Sequence, residues 1–217
     1  MSSRIATYAL FVGLLFSLLV LANRVGTIHL PANQQGYEPV QPIAFSHRLH
    51  AGELEIGCLY CHFGAEKSRH AGIPPASVCM NCHQRVTTSL GALRQEDELA
   101  KKEGRKPRVL ISPELAKLYN ALGLNAQRQR DPAKKVTPIE WVKVHNLPDF
   151  VYFDHRPHVT AKVACQRCHG PVETMERMRQ FSALNMGWCV NCHRQANASA
   201  TALSPVHAST DCMTCHY

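Results

Sequence analysis

The chain has 217 residues, 24 Lys+Arg against 16 Asp+Glu, 45% apolar residues and ten cysteines. That apolar share excludes disorder throughout, and the presence of one long apolar run excludes a polytopic membrane protein. The formal charge of +8 would suit an acidic partner such as nucleic acid, but the motifs below give the basic residues another role.

Residues 5 to 22 read IATYALFVGLLFSLLVLA, without a charge. As a helix they span about 27 Å, enough for a bilayer core. Arg4 and Arg24 flank the run. A cleaved signal peptide has an apolar stretch of only about 7–15 residues and a small-residue cleavage site. The run is longer and no good A-x-A site follows, so an uncleaved single-pass anchor over 1–24 is expected, with a linker over 25–44.

A first repeat, 45–83, opens with Phe45-Ser46-His47-Arg48-Leu49-His50 and contains cysteine pairs at Cys58/Cys61 and Cys79/Cys82. A cysteine-free insertion, 84–152, follows. Within it, residues 94 to 108 (RQEDELAKKEGRKPR) read as a solvated helix end or loop. Ser112-Pro113-Glu114 predicts a helix with Ser at the N-cap and Pro at N1, ending near Gly123. Residues 124 to 136 read as a surface loop. Thr137-Pro138-Ile139-Glu140 predicts a capping box and a short helix. Phe150-Val151-Tyr152-Phe153 predicts a short strand. The insertion is either a docking surface or a strap over the groups its neighbours hold.

A second repeat, 153–193, opens with Phe153-Asp154-His155-Arg156-Pro157-His158 and contains pairs at Cys165/Cys168 and Cys189/Cys192. Both repeats share F-x-H-R-x-H, starting at Phe45 and at Phe153. The step from His47 to Cys58 is one position longer than the step from His155 to Cys165. A last segment, 194–217, holds Cys212/Cys215.

All ten cysteines fall in five C-x-x-C pairs, and each pair is followed at once by a histidine: His62, His83, His169, His193 and His216. With 13 His in 217 residues, five such placements by chance come to about one in a million. C-x-x-C-H is the c-type haem attachment signal. Two thiols three positions apart reach the two vinyl groups of one porphyrin, and the next residue presents an imidazole to the iron as proximal ligand. Structural zinc consumes such pairs in twos, whereas five is odd, and it does not explain the histidines. Thioredoxin-like motifs need a βαβ pattern, and a disulfide framework also leaves the histidines unexplained. Five covalent haem c groups are therefore expected. Their propionates, about ten negative charges, are matched by the basic excess, which removes the case for nucleic acid. Beyond the anchor roughly 39 residues remain per haem, so apolar surface comes largely from the macrocycles and folding depends on their attachment.

Eight further histidines remain: His29, His47, His50, His70, His145, His155, His158 and His207. An H-x-x-H pair on a helix places both rings on one side, from which they can diverge to two neighbouring irons. His29, beside the anchor, reads as structural.

The element F-x-H-x-x-H ahead of C-x-x-C-H resembles small multihaem cytochromes of the c3/c7 type. The resemblance implies a mostly α and irregular, duplicated fold with little β. It also implies distal pairings of His47 with His62, His50 with His83, His155 with His169 and His158 with His193. His216 would then take His70 or His145, or a methionine (Met175, Met178 or Met186) would serve one iron and raise its potential.

A wider resemblance rests on the anchor, His70-Ala71-Gly72-Ile73-Pro74, Val144 to Phe153, Met186-Gly187-Trp188-Cys189 and the Cys212 motif. Together these resemble the pentahaem cytochrome subunit of alternative complex III. That resemblance implies a conduit without a catalytic site of its own. Electrons from quinol oxidation would arrive through an iron–sulfur, molybdopterin-like subunit and leave to a monohaem cytochrome c, a soluble carrier or a terminal oxidase. Polytopic quinone-binding subunits would be partners, with the haem domain on the periplasmic face of the bacterial inner membrane. The other reading is a membrane-anchored multihaem quinol dehydrogenase or reductase subunit of another respiratory complex. All five motifs end in His and spare histidines exceed the vacancies, which argues against a substrate-binding iron.

Overall fold

A computed structural model describes residues 2–25, 34–201 and 206–216. His29 lies outside the described residues. The first element is a single helix, α1 (Ser2–Val25). Its stretch Arg4–Asn23 is long and apolar enough to cross a membrane, and none of it is buried against the rest of the chain. The other helices are short: α2 (Cys58–Cys61), α3 (Ala76–His83), α4 (Leu90–Lys102), α5 (Pro113–Ala121), α6 (His155–Thr160), α7 (Gln166–His169), α8 (Met186–Ala198) and α9 (Cys212–Cys215). Among the described residues there is no sheet, only two isolated bridges, Leu124 with Arg130 and Val151 with His216. The expected strand at 150–153 is reduced to that second bridge.

The fully buried apolar set among the described residues is small: Ala65, Met80, Ala100, Leu118, Tyr119, Val144 and Met175. Its one cluster joins Met80 of α3 to Leu118 and Tyr119 of α5, so the insertion packs on the second cysteine motif. The Tyr119 hydroxyl donates to the His83 carbonyl at 2.6 Å, and Arg128 Nε donates to the Gln84 carbonyl at 2.8 Å. These contacts hold the insertion against the second motif.

Local signals inside the insertion act as read in two places. Ser112 caps α5, its hydroxyl accepting from Leu115 N at 3.3 Å, with Pro113 at the first helical position. Most of the charge run at 94–108 lies in α4, and Arg105 turns back to pair with Glu96. At 137–140 the expected helix does not form. The chain there is irregular, with a local bond from Trp141 N to the Ile139 carbonyl at 3.0 Å and tertiary contacts on either side. Thr137 N donates to the Ala121 carbonyl at 2.9 Å. Gln41 grips Val142 from both sides, accepting from its N–H at 2.9 Å and donating to its carbonyl at 3.0 Å.

The two F-x-H-R-x-H elements differ in winding. The second is an ordinary helix, α6, capped by Asp154, whose side chain accepts from Arg156 N. The first is a π-helical turn, Arg48–Glu53, with Leu54 N bonded to the Leu49 carbonyl at 2.9 Å. One residue too many in a helix is absorbed as a π turn, and the first copy carries one such extra position between its histidine and its cysteines. Both copies then reach their cysteines through a left-handed residue at the same offset, Glu55 (φ 52°) and Lys162 (φ 57°).

The halves interlock. The π turn packs on the 3-10 turn Val172–Thr174 of the second half, and α6 packs on the 3-10 turn Phe63–Glu66 of the first. Arg48 N donates to the Met175 carbonyl at 2.9 Å, and His155 N donates to the Arg69 carbonyl at 3.2 Å. At the first junction only glycine fits. A Cβ on Gly52 would stand 2.2 Å from the Glu173 carbonyl oxygen.

Candidate functional site

Each C-x-x-C-H motif lies on or beside a short helical turn, α2, α3, α7, α8 and α9 in order. One helical turn brings the two thiols of a motif to one side and leaves the histidine at its end. All ten thiols are free, and among the described residues no three His, Cys, Asp or Glu side chains converge as a metal cluster.

The two thiols of a motif are not equally sheltered. In the motifs at Cys58/Cys61, Cys165/Cys168 and Cys212/Cys215 the first thiol is exposed and the second half-buried. The second motif departs from this order: Cys79 is half-buried and Cys82 is exposed. The reason is α5, since Cys79 packs against the Met80–Leu118–Tyr119 cluster while Cys82, one turn later on α3, lies outside it. Cys189 and Cys192 are both half-buried.

The thiols of successive motifs are neighbours in space. Burial raises the Cys61 thiol pKa, and Cys79, Cys58 and Cys82 add to the effect in that order. Burial also raises Cys165, with Cys58 beside it as a charge and hydrogen-bond neighbour. Cys168 is pushed up to about 11 by burial, then by Cys192 and Cys189. Cys189 is raised by burial and then by Cys215. The motifs are thus pairwise neighbours in series: Cys79/Cys82 beside Cys58/Cys61, that beside Cys165/Cys168, then Cys189/Cys192, then Cys212/Cys215. The two halves meet at the Cys58–Cys165 step.

Four motif histidines face a second histidine. The ring centroids of His47 and His62 are 6.5 Å apart with planes at 10°. Those of His155 and His169 are 6.4 Å apart at 5°. His50 faces His83 at 6.2 Å and 59°, and His158 faces His193 at 6.0 Å and 36°. Two metal–nitrogen bonds of about 2 Å plus two ring half-widths of about 1.1 Å would put the centroids of two imidazoles on opposite sides of one metal about 6.2 Å apart. The four distances are the separation one metal ion between two imidazoles requires.

The hydrogen bonds of these rings select the nitrogen left free. His62 Nδ1 donates to the Gly72 carbonyl at 2.7 Å and His83 Nδ1 to Val86 at 2.8 Å. His193 Nδ1 donates to Ser209 at 2.5 Å. On the facing side His50 Nδ1 donates to Ser46, His155 Nδ1 to Arg69 and His158 Nδ1 to Asp154, at 2.8, 2.9 and 2.8 Å. A proton fixed on Nδ1 leaves Nε2 as a lone-pair donor, the arrangement that metal-bound histidines use. Among the described residues His47 Nδ1 is buried without a hydrogen-bond partner. Burial, then the neighbouring His62, His50 and His169, pushes His47 down to about 4. His169 is likewise pushed down to about 4, by burial first. Both rings are neutral at neutral pH, as ligands must be.

The phenylalanine that opens each F-x-H-R-x-H element is a wedge between its histidines, a role its sequence pattern did not disclose. Phe45 meets His47 edge-on at 4.9 Å and His50 stacked at 4.3 Å. Phe153 meets His155 edge-on at 4.9 Å and His158 at 4.8 Å.

The fifth motif stands apart. Among the described residues the ring beside His216 is Phe150, at 5.8 Å. His70 is exposed. Its neighbour Arg69 lies over the Tyr152 ring at 4.3 Å, and Tyr152 N donates to the Cys215 carbonyl at 2.8 Å. His145 is placed elsewhere: its Nε2 lies 3.2 Å from His169 Nδ1. Met175 is buried, Met178 half-buried, and Met186 70% exposed.

Two comparisons with known proteins bear on this arrangement. Residues 151–217 match the sequence model of the family described as "Cytochrome c7 and related cytochrome c". The chain is also 23% identical, over 196 residues, to a Nitratidesulfovibrio vulgaris protein named as the multiheme cytochrome c subunit of a menaquinone reductase. The alignment covers 81% of this chain and 76% of that protein.

Proposed function

We propose that this chain is a membrane-anchored pentahaem c-type cytochrome, the electron-relay subunit of a quinone-linked respiratory complex. The carrying observation is the set of four imidazole pairs at 6.0–6.5 Å, each beside its own C-x-x-C motif. Cys58/Cys61, Cys79/Cys82, Cys165/Cys168, Cys189/Cys192 and Cys212/Cys215 hold five haems as thioethers. His62, His83, His169, His193 and His216 are proximal ligands. His47, His50, His155 and His158 are the distal ligands, and His70, on the Arg69–Tyr152–Cys215 side, is the distal ligand of the fifth.

When bound, haem c supplies a one-electron iron couple. The chain's own work is to keep Nε2 unprotonated, on His50, His62, His83, His155, His158 and His193 through backbone carbonyls that accept from Nδ1 and on His169 through His145, and to hold the motifs next to one another. With haem bound, the four facing histidine pairs would leave no open iron position for a substrate, which supports a conducting role for the subunit. Basic side chains outnumber acidic ones by eight and neutralise propionates.

Within this reading the complex is alternative complex III, and α1 is a single-pass anchor in the inner membrane with the haems on the periplasmic side. The partners are an iron–sulfur, molybdopterin-like subunit, polytopic quinone-binding subunits and a monohaem cytochrome c or soluble carrier. The name of the N. vulgaris relative favours a second reading: the same series of motifs feeding electrons toward menaquinone in a reductase. Purification of the full chain from membranes in mild detergent tests both. Five haems per chain, low-spin, with copurifying quinone-binding subunits, is the expected result. Electron delivery from quinol to a cytochrome c supports the first complex, and delivery from a reduced cytochrome to menaquinone the second. A colourless chain, or one carrying zinc, overturns the proposal.

A further inference from the structure

His145 sits in an irregular stretch, outside any helix or strand that would orient it. Two side chains from elsewhere fix it on both sides. Gln41 binds the backbone of Val142 through two hydrogen bonds, at 2.9 and 3.0 Å. Gln180, only 1% exposed, accepts from Asn146 N at 3.3 Å. Gln180 is itself locked, its N–H donating to the Tyr37 carbonyl and its carbonyl accepting from Gly36 N. Between these clamps the His145 ring meets His169 edge-on, centroids 4.4 Å apart and planes at 82°.

The contact is made through His169 Nδ1. His155 faces His169 at 6.4 Å in a nearly parallel pair, while His145 Nε2 lies 3.2 Å from His169 Nδ1. A neutral imidazole that coordinates through Nε2 carries its proton on Nδ1, so His169 donates and His145 Nε2 accepts. His62, His83 and His193 give that proton to backbone carbonyls. Among these four motif histidines, His169 alone gives it to a side chain, and its motif stands in the middle of the series.

We propose that His145 is a positioning residue that sets the orientation and donor strength of His169, and is not an axial ligand of the fifth haem. The proposal rests on the reading of His169 as a proximal haem ligand. An acceptor on Nδ1 makes a metal-bound imidazole more basic. A more basic ligand stabilises the ferric state and lowers the potential. His145 therefore holds the potential of the haem at Cys165/Cys168 below the value it takes without that acceptor.

The test is a redox titration of full-length His145→Leu and His145→Gln beside the parent chain, with haem-to-chain ratio and spin state measured on each. In His145→Leu, one fifth of the haem absorbance is expected to titrate at a more positive potential, with five haems attached and all of them low-spin. In His145→Gln the side-chain carbonyl replaces the lost acceptor, and the potential is expected to return toward the parent value. Unchanged potentials in the Leu variant overturn the proposal, as does a high-spin haem in it, which would make His145 a ligand. Equal shifts in both variants reduce His145 to a packing role and overturn it as well. If the variants lose haem, the histidine 15N spectrum of the fully reduced parent decides. A free imidazole protonated at Nδ1 is expected for His145, and an iron-bound Nε2 overturns the assignment. Loss of the proposed function shows separately, as a parent chain without five haems.

Discussion

His155 and His169 stand nearly parallel, at 5° and 6.4 Å, although they sit on different helices, α6 and α7. His47 and His62 repeat the relationship in the other half at 10° and 6.5 Å. The second pair in each half is tilted, by 59° and 36°.

Removing one ring from such a pair exposes one iron. His47→Ala and His155→Ala are each expected to turn one haem high-spin while five remain covalently attached. Electron paramagnetic resonance with haem quantification checks this. Unchanged low-spin spectra in either variant would refute the pairing at that position.

The fifth vacancy gives a sharper contrast. His70→Ala is expected to produce one high-spin haem that binds carbon monoxide, while His207→Ala changes nothing. Optical difference spectra with carbon monoxide read the result. An inert His70→Ala would assign the vacancy to a methionine or to a residue outside those described.

Gly52 marks the closest approach of the two halves. A methyl group there would stand 2.2 Å from the Glu173 carbonyl oxygen, and overpacking of a fixed backbone costs about 1–3 kcal/mol. Gly52→Ala is expected to lower the thermal midpoint by about 2–4 °C per kcal/mol for a chain this size. The neighbouring exposed Leu54→Ala should not change it. Calorimetry of the holoprotein compares them.

The insertion has its own anchor points. Ser112→Ala removes the cap of α5 and is expected to cost about 1 kcal/mol. Because α5 packs on Met80, the loss is expected to appear as faster amide exchange in α3 as well as in α5. Exchange confined to α5 would uncouple the two.

Glu96 is 8% exposed. The Arg105 side chain, then the Arg108 backbone N–H, holds its pKa at about 2. Its folded pKa lies below the unfolded carboxyl value, so its contribution is complete above about pH 4.5 and fades as the pH falls toward 2. The parent chain is expected to be more stable than Glu96→Gln at pH 7, with the gap closing across that interval. Thermal melts at several pH values check the sign. A gap that widens in acid would contradict it.

Attachment chemistry was legible in the sequence because covalent geometry dictates the C-x-x-C-H spacing and leaves little to context. The uneven shelter of Cys79 and Cys82 was not, since it comes from α5 of the insertion. The facing histidines were legible in kind, through a repeat in register and a family resemblance. The π turn was present as a bare difference, one position more in the first copy, which has meaning only once both copies must aim at equivalent partners. The carbonyls of Gly72, Val86, Arg69 and Ser209 carry no sequence signal, since any residue supplies a carbonyl. Position 145 was legible only as a spare histidine; its place beside His169 was not, since Gln41 and Gln180 hold that segment from distant parts of the chain. At 137–140 the Thr137 N–H goes to the Ala121 carbonyl, and a tertiary contact overrides weak local propensity.

The crossed packing of the halves has a consequence for biosynthesis. The motif from Cys58 to His62 is synthesised well before Val172–Thr174, on which the π turn must rest. The amino-terminal half therefore cannot close when it first emerges. Its thiols stay reachable by the attachment machinery until the carboxy-terminal half arrives, and a chain cut between the repeats should accumulate as an open, protease-sensitive fragment.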